Sequence, residues 1–373
     1  MAKTVMLFGT GAVGGQVLLL LAHSEGIGRI AVSGRDEDVG LFKINAAALG
    51  SVDRGLTIAY EFYKNDVYDI ETTARLLEQV KPDVVFLSLS TQSPGFVWMF
   101  PLPRDIRARF QEAGFGTQLP WHLLLPARFM QAVQKSGIQT HVVNASFPDV
   151  VNPALWSRFG FGPTVGIGNI DNVAPRIIQQ VSHMERVPVG DVVLSFIASH
   201  AFAYSPFAGV PFFLKIYVGD QDITDKYDIK RLLQSPPKSE RLRSVRETLW
   251  PFTNQITAAS AVKNILAIAN DSNIYTLAPA PNGLIGGYPV RLNARGATVV
   301  LPKELTLEQA TKINEDAEKF DGIEKIKTDG TIVFTDKTYT IMKELGYDCQ
   351  ELAFDDMEAR GKELEALLRK LHS

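Results

Sequence analysis

The sequence predicts an α/β chain: a doubly wound parallel sheet followed by a second, α+β lobe. Three observations carry the expectation. The first 150 residues alternate short β-branched runs with longer amphipathic stretches, the pattern of repeated βα units. A glycine-rich turn follows the first of those runs directly. Beyond residue 150 the texture changes to strand-like runs that pair with near neighbours. A chain of 373 residues with 46% hydrophobic content exceeds what one core usually serves, so two intimately packed lobes are expected.

Taken in order, strands are expected at Thr4–Phe8, Arg29–Val32, Leu56–Tyr60, Asp83–Leu87 and Thr140–Val143, with helices between them. The run VVFLSLS is almost continuously apolar at its start, as befits a central parallel strand buried on both faces. In the second lobe TVGIGN, DVVLSFIAS and FFLKIYV read as strands, and Ser239–Asn270 as a long helix with a kink at Pro251. Then NIYTLA, YPVRLN and ATVVLP read as antiparallel strands, before a helix over Leu305–Phe320 that opens with the capping-like TLEQ. From KTDGTIVFTD onward a short strand and two helices are expected, the second, Asp355–Leu371, amphipathic and charged. The divisions are therefore 1–150 for the dinucleotide-binding domain, 151–325 for a substrate domain, and 326–373 for an extension packed on the second domain.

The net charge of −3, from 38 basic and 41 acidic residues, offers no footprint for nucleic acid or an anionic membrane surface. A small-molecule ligand is expected instead. The single Cys349 cannot form an internal disulfide and has no companions for a metal site, so no metal is expected and a reducing cytoplasm fits. The opening MAKTVMLFGTG lacks the features of a secretory signal. The run VLLLLA at 17–22 stops well short of the roughly 20 residues a membrane span needs.

Gly9-Thr10-Gly11-Ala12-Val13-Gly14 follows a predicted strand and opens a predicted helix, the context that gives the G-x-G-x-x-G fingerprint of a Rossmann domain its meaning. Gly9 permits the tight turn, Gly11 lets backbone approach a pyrophosphate, and Gly14 lets helix pack on strand, while the helix N-terminus supplies amide donors. After the second strand the chain reads Ser33-Gly34-Arg35, with no carboxylate where an NAD site usually places one on the ribose. A guanidinium at Arg35 suits a 2′-phosphate, so NADP is expected, with NAD the alternative if Asp36 or Glu37 takes the ribose. Ser90, past the fourth strand, is expected to face the cofactor as well.

Two segments become informative together: Val165-Gly166-Ile167-Gly168-Asn169-Ile170-Asp171-Asn172 and Phe196-Ile197-Ala198-Ser199-His200-Ala201-Phe202. With LLLPARFMQAVQKSG, VVNASFPDVVNPALW and YPVRLNARGATVVLPKELTLEQA, their order and spacing resemble the lactate and malate dehydrogenase superfamily over most of residues 4–322. The resemblance implies hydride transfer between a nicotinamide and a carbonyl or secondary alcohol, and a homodimer or homotetramer. It also implies that His200 is the proton donor and acceptor, that Asp171 orients its imidazole, and that Asn144 touches nicotinamide and substrate. The chemistry is sound: hydride transfer needs a matching proton transfer, and histidine titrates near neutrality. Taken singly, His200 reads as a core histidine and Asp171 as a helix cap; their pairing is what favours the relay.

Departures from the pattern shape the substrate. Where the superfamily's 2-oxo acid reductases carry an arginine, three residues after the aspartate, this chain has Ala174; Arg176 lies five positions from Asp171, about 140° around the helix. The loop from Thr91 to Pro101 is apolar, with Arg104, Arg107 and Arg109 arriving only later, and aromatic residues follow His200 in AFAYSPFAGVPFF. An apolar or aromatic carbonyl is thus expected over a small dicarboxylate, the same residues being equally suited to a dimer interface. Arg291 or Arg295 reaching the pocket would restore an acid substrate. The alternatives are a malate- or lactate-type dehydrogenase using displaced arginines and a non-catalytic nucleotide sensor on the same fold; a metal-dependent, NAD-using glycosidase is discounted for want of ligands.

Overall fold

A computed structural model describes residues 3–233 and 246–372, with backbone alone for 246–253. The first lobe runs β1 (Lys3–Phe8), α1 (Ala12–Ala22), β2 (Ile27–Gly34), α2 (Glu37–Asp53), β3 (Ala59–Lys64), α3 (Ile70–Val80), β4 (Val84–Leu87), α4 (Phe96–Met99), α5 (Arg104–Ala113), α6 (Leu119–Ser136), β5 (His141–Asn144), α7 (Val151–Phe159) and β6 (Val165–Gly166). The second contains α8 (Ile170–Glu185), β7 (Val192–Ile197), α9 (His200–Tyr204), β8 (Phe213–Val218), β9 (Gln221–Asp222), α10 (Ile229–Leu233), α11 (Arg246–Ala269), β10 (Ile274–Pro279), β11 (Gly287–Asn293), β12 (Gly296–Val299) and α12 (Leu307–Glu318). The chain continues through β13 (Ile323–Ile326), β14 (Ile332–Phe334), α13 (Asp336–Leu345), β15 (Glu351–Leu352) and α14 (Met357–His372).

Six parallel strands form one sheet in the order β3-β2-β1-β4-β5-β6. Val5, Met6 and Leu7 of β1 and all four residues of β4 are fully buried, because helices cover both faces. β1 pairs with β2 on one side and β4 on the other, so the order reverses there and opens a crevice at the carboxyl ends of the strands. The other sheets are antiparallel: β7-β8-β9, β10-β11-β12 and β13-β14-β15. Helix starts follow local chemistry, Asp36 and Asp69 accepting backbone amides of α2 and α3 and Thr306 with Gln309 closing a capping box on α12. Among the described residues no helix is long and apolar enough to cross a membrane.

Four expectations need correction or completion. β3 starts at Ala59 rather than Leu56, because the Leu56 amide donates to Ser51 O and still closes the end of α2 (2.9 Å). TVGIGN supplies β6 to the parallel sheet, which therefore extends past residue 150. Of the helix expected over Ser239–Asn270, α11 accounts for 246–269, and 239–245 lie outside the described residues. The extension after 326 packs on the first lobe, not the second: α13 lies against α5 and α14 against α6. There Trp121 Nε1 donates to Gly361 O (3.0 Å) and Thr338 Oγ1 to Ala113 O (2.7 Å). The cause is α6, whose buried side chains, Trp121, Leu124 and Phe129 among them, form a wider apolar face than α3 alone covers.

Candidate functional site

The turn from β1 to α1 shows what each glycine is for. Gly9 has φ +93°, and a Cβ there would lie 2.3 Å from Ser88 O; on Gly14 it would lie 2.1 Å from Gly9 O. Both glycines are fixed by packing. A Cβ on Gly11 would meet nothing within 4 Å, so no protein group requires that glycine. Gly11 is the N-cap of α1, with no side-chain cap and no acidic residue in the first turn. The exposed Gly11 and Ala12 therefore present uncapped amides and the positive end of the helix to the crevice. Lys43 Nζ donates to Thr10 O (2.5 Å) and fixes the turn against α2, while Val13 packs into the core beneath it.

At the end of β2 the buried Ser33 accepts the Gly9 amide on its carbonyl (3.3 Å), and Arg35 is exposed. Asp36 caps α2, accepting from Val39 N (3.0 Å), which commits that carboxylate locally. Ser90 Oγ donates to Gln92 O (2.7 Å) and shapes the loop after β4. That loop is latched down. Phe96 packs edge-on against Trp121 at 5.4 Å, Gln92 bonds Glu365, and His372 Nδ1 lies 2.8 Å from Pro101 O. Asn144 ends β5 fully buried: its Nδ2 donates to Asn152 Oδ1 (2.8 Å) and its Oδ1 accepts from Ser146 N (3.2 Å). These bonds tie the end of β5 to the loop that follows and to α7.

His200 opens α9 just past β7 and is fully buried. Its amide donates to Asp149 Oδ2 (2.7 Å), in the loop after β5, which places it at the same carboxyl edge as the glycine turn. The residue that orients the imidazole is not Asp171. His200 Nδ1–H donates to Asp321 Oδ2 at 2.6 Å, and Asp321 is 4% exposed. Asp171 Oδ2 instead accepts from Ser260 Oγ (2.6 Å) and Lys263 Nζ (2.5 Å), both on α11. A lysine on α11 satisfies the carboxylate that the spacing had assigned to histidine.

Two glycines bring Asp321 into place. Gly114, φ +89°, lies where a Cβ would be 2.5 Å from Asp321 C, and Gly322, φ +85°, where one would be 2.4 Å from Ala113 O. The two segments interlock closely, which brings both Asp321 and Phe115 against the histidine. Phe115, Phe147 and Tyr204 ring the imidazole at 5.0, 5.4 and 4.5 Å, and His122 stacks on Phe147 at 5.0 Å. Nε2 of His200 is buried without a protein partner.

The electrostatics favour a protonated His200. Burial alone would lower its proton affinity, but Asp321, by charge and hydrogen bond, and Asp149 outweigh it, so the pKa is raised. His122 has no such partner, and burial together with the His200 charge pushes it down to about 3. Burial raises Asp149 to about 6, against the pull of His200 and of the hydrogen bond from Asn169. Among the described residues, the candidate arginines are held elsewhere. Arg176 donates to Leu233 O (3.2 Å), Arg107 to Phe100 O (3.1 Å), and Arg109 pairs with Glu344. Arg291 donates to Asn273 O (3.0 Å) on the exterior. Arg295 belongs to the hairpin that meets His141, at the opposite end of β5 from Asn144. The adjoining cleft between Asp149, Asn152 and Asn169 holds about 10 Å³, room for a single water.

Fold and site together define a class: an α/β protein with a doubly wound parallel sheet and a histidine–carboxylate pair where its second lobe meets the sheet's carboxyl edge. No sequence-family model matches the chain, and no curated protein matches it. The particular fold is that of the lactate and malate dehydrogenases. The chain is similar to a lactate dehydrogenase from a Medee basin deep-sea metagenome library (16% identity, 86% of this chain, 96% of that one, TM-score 0.55). It is similar to the Cryptosporidium parvum lactate dehydrogenase complexed with lactic acid and nicotinamide adenine dinucleotide (17% identity, 86% and 98%, TM-score 0.54). The Aeropyrum pernix malate dehydrogenase is a third (16% identity, 85% and 97%, TM-score 0.57). At such identities the likeness establishes the fold.

Proposed function

We propose that the protein is a nicotinamide-dependent oxidoreductase that interconverts a carbonyl and a secondary alcohol, with His200 as acid and base and Asp321 as its orienting carboxylate. The observation that carries the reading is the sealed His200–Asp321 pair at the edge of the sheet where the open helix N-terminus lies. A bound nicotinamide would supply or accept the hydride. The residues present fit that group: Gly11 is required by nothing but a ligand passing over it, and the bare amides of α1 suit a pyrophosphate. Thr10, Ala12 and Val13 frame that contact, with Ser33 and Ser90 at the rims of the crevice. Arg35, exposed and unpaired among the described residues, supports NADP over NAD, since Asp36 is committed to its cap.

His200 gives its Nε2 proton to the carbonyl oxygen while Asp321 holds the Nδ1–H tautomer. The aromatic ring of Phe115, Phe147 and Tyr204, with no arginine beside it among the described residues, supports an uncharged, apolar or aromatic substrate; the displaced-arginine reading would need an arginine from outside those residues. The nucleotide-sensor reading keeps one observation in its favour, the complete burial of His200. Assembly as a homodimer or homotetramer is supported by an exposed apolar stripe on α2, Val39, Phe42, Leu49 and Val52, between 45 and 75% exposed; a single-chain mass by light scattering would refute it. The buried, free Cys349 suits a reducing cytoplasm.

Fluorescence titration with NADPH and NADH, on wild type and Arg35→Ala, tests the cofactor. NADPH affinity is expected to fall ten- to a hundredfold in the variant with NADH little changed, the worth of a charge-assisted pair. Binding of neither nucleotide would overturn the proposal. Binding without turnover on a panel of aromatic and aliphatic ketones and aldehydes would leave the sensor.

A further inference from the structure

Close to Asp321 in the chain lies a carboxyl group that the proposed reaction does not use. Glu318, the last residue of α12, is 1% exposed, and neither of its carboxyl oxygens has a protein partner. It stands one turn before Asp321, and the charges of Asp321 and Asp149 both act on it. Three carboxyl groups and one imidazole thus share a volume closed to solvent, Asp149 and Asp321 being 4% exposed and His200 not at all. Among the described residues the surroundings offer little to balance a third anion. His200 is already engaged by Asp321 and Asp149, His122 is held neutral, and Tyr204 and Tyr288 are both phenols with raised pKa values. The last turn of α12 contains no basic residue, and the carbonyl end of a helix opposes negative charge.

We propose that Glu318 is a positioning residue of this centre: a carboxyl kept protonated and neutral close to the Asp321–His200 pair, so that it adds no negative charge to what the imidazole feels. The inference rests on the acid–base reading of His200 for its purpose, not for its test. Burial and the neighbouring charges of Asp321 and Asp149 hold the Glu318 proton well above the usual carboxylate range. Were it ionised, a further anion beside His200 would strengthen the imidazolium and make its proton harder to give. Neutral Glu318 leaves His200 an acid of useful strength, and ties the alkaline limit of the centre to the loss of the Glu318 proton.

The experiment needs no cofactor and no turnover. Infrared difference spectra of the full chain at neutral and mildly alkaline pH, wild type against Glu318→Gln, read the carbonyl stretch of a buried neutral carboxylic acid, and NMR of the imidazole follows the titration of His200. The wild type is expected to show the band and the Gln variant to lose it, with the His200 titration shifted by less than a factor of two in proton affinity. Absence of the band in wild type, its survival in the variant, or a His200 proton affinity lowered about tenfold by the substitution, the effect of deleting a real neighbouring charge, would overturn the proposal. Should the Gln variant fail to fold, Glu318→Met, equally neutral and similar in length, is read by the same two measurements. A missing band leaves the dehydrogenase reading untouched; an absence of turnover leaves the Glu318 assignment untouched.

Discussion

Replacing Asp321 by Asn separates the observed geometry from the spacing-based expectation. The carboxylate lies 2.6 Å from His200 Nδ1 with both groups out of solvent, so the charge separation is about 4 Å, worth roughly 4 kcal/mol at an effective dielectric near 20. Asp149 still accepts the His200 amide and retains part of the pull, so the imidazole's proton affinity is expected to fall, by less than that full amount. The sign follows from which term survives: with Asp321 gone, burial dominates, and burial lowers a histidine. Less of the imidazole would then hold a proton at neutral pH, and kcat should fall about a hundredfold, the lower end of what positioned proton transfer contributes, its pH profile displaced to the acid side. Initial rates of NADPH oxidation across pH, with the imidazole titration alongside, read both effects. Asp171→Asn is the counterpart. It removes the partner of Lys263 and Ser260 and should cost about 1–3 kcal/mol of stability, as for a partly buried pair, while leaving the pH limb in place. An unmoved profile in the Asp321 variant together with a displaced one in the Asp171 variant would refute the reasoning.

Two further substitutions test the glycine turn: Gly11→Ala meets no atom within 4 Å and should leave Tm unchanged while weakening NADPH at least tenfold, whereas Gly14→Ala, 2.1 Å from Gly9 O, should lower Tm itself; calorimetry with and without nucleotide distinguishes them. His122 is a buried base held at about 3 against an ordinary 6.5. Its neutral form contributes stability that is complete above about 6.5 and is lost as pH falls through that range towards about 3, at up to about 1.4 kcal/mol per pH unit. Urea midpoints of His122→Gln minus wild type should therefore rise steadily on acidification; a difference independent of pH would show that His122 accepts its proton in the folded state.

The parallel sheet was legible because its signals are local. β1, the glycine turn and the apolar run of β4 each depend on neighbours in sequence, and their placement differs from expectation by a residue or two. β3 was displaced because Leu56 and Ile58 look strand-like while the backbone at Leu56 still closes α2. The expected fingerprint lies where the sequence put it, and the His200 position was readable from its place after a strand. Its partner was not: Asp321 lies 121 residues away, and Asp171, at the familiar spacing, meets Lys263 on a helix whose docking no periodicity reveals. One signal was available. Glu318 and Asp321 sit at the carboxyl end of α12, where a carboxylate is electrostatically misplaced, and residues set against a local rule mark function more often than chance. Amphipathicity likewise showed that the final helices bury one face, but not that α6 would be what they cover.

That last contact has a consequence for how the protein is made. The apolar face of α6 is synthesised early, yet Trp121 receives its cover, and the partner for its indole N–H, from Gly361 on α14. While a nascent chain is still short of residue 361, the first lobe has a complete sheet and an uncovered flank. The latch on the loop after β4, from Glu365 and His372, is also missing. Polypeptides that stop early thus display an exposed apolar flank beside an unfastened loop, and the lobe that looks most self-sufficient is among the last parts of the molecule to be finished.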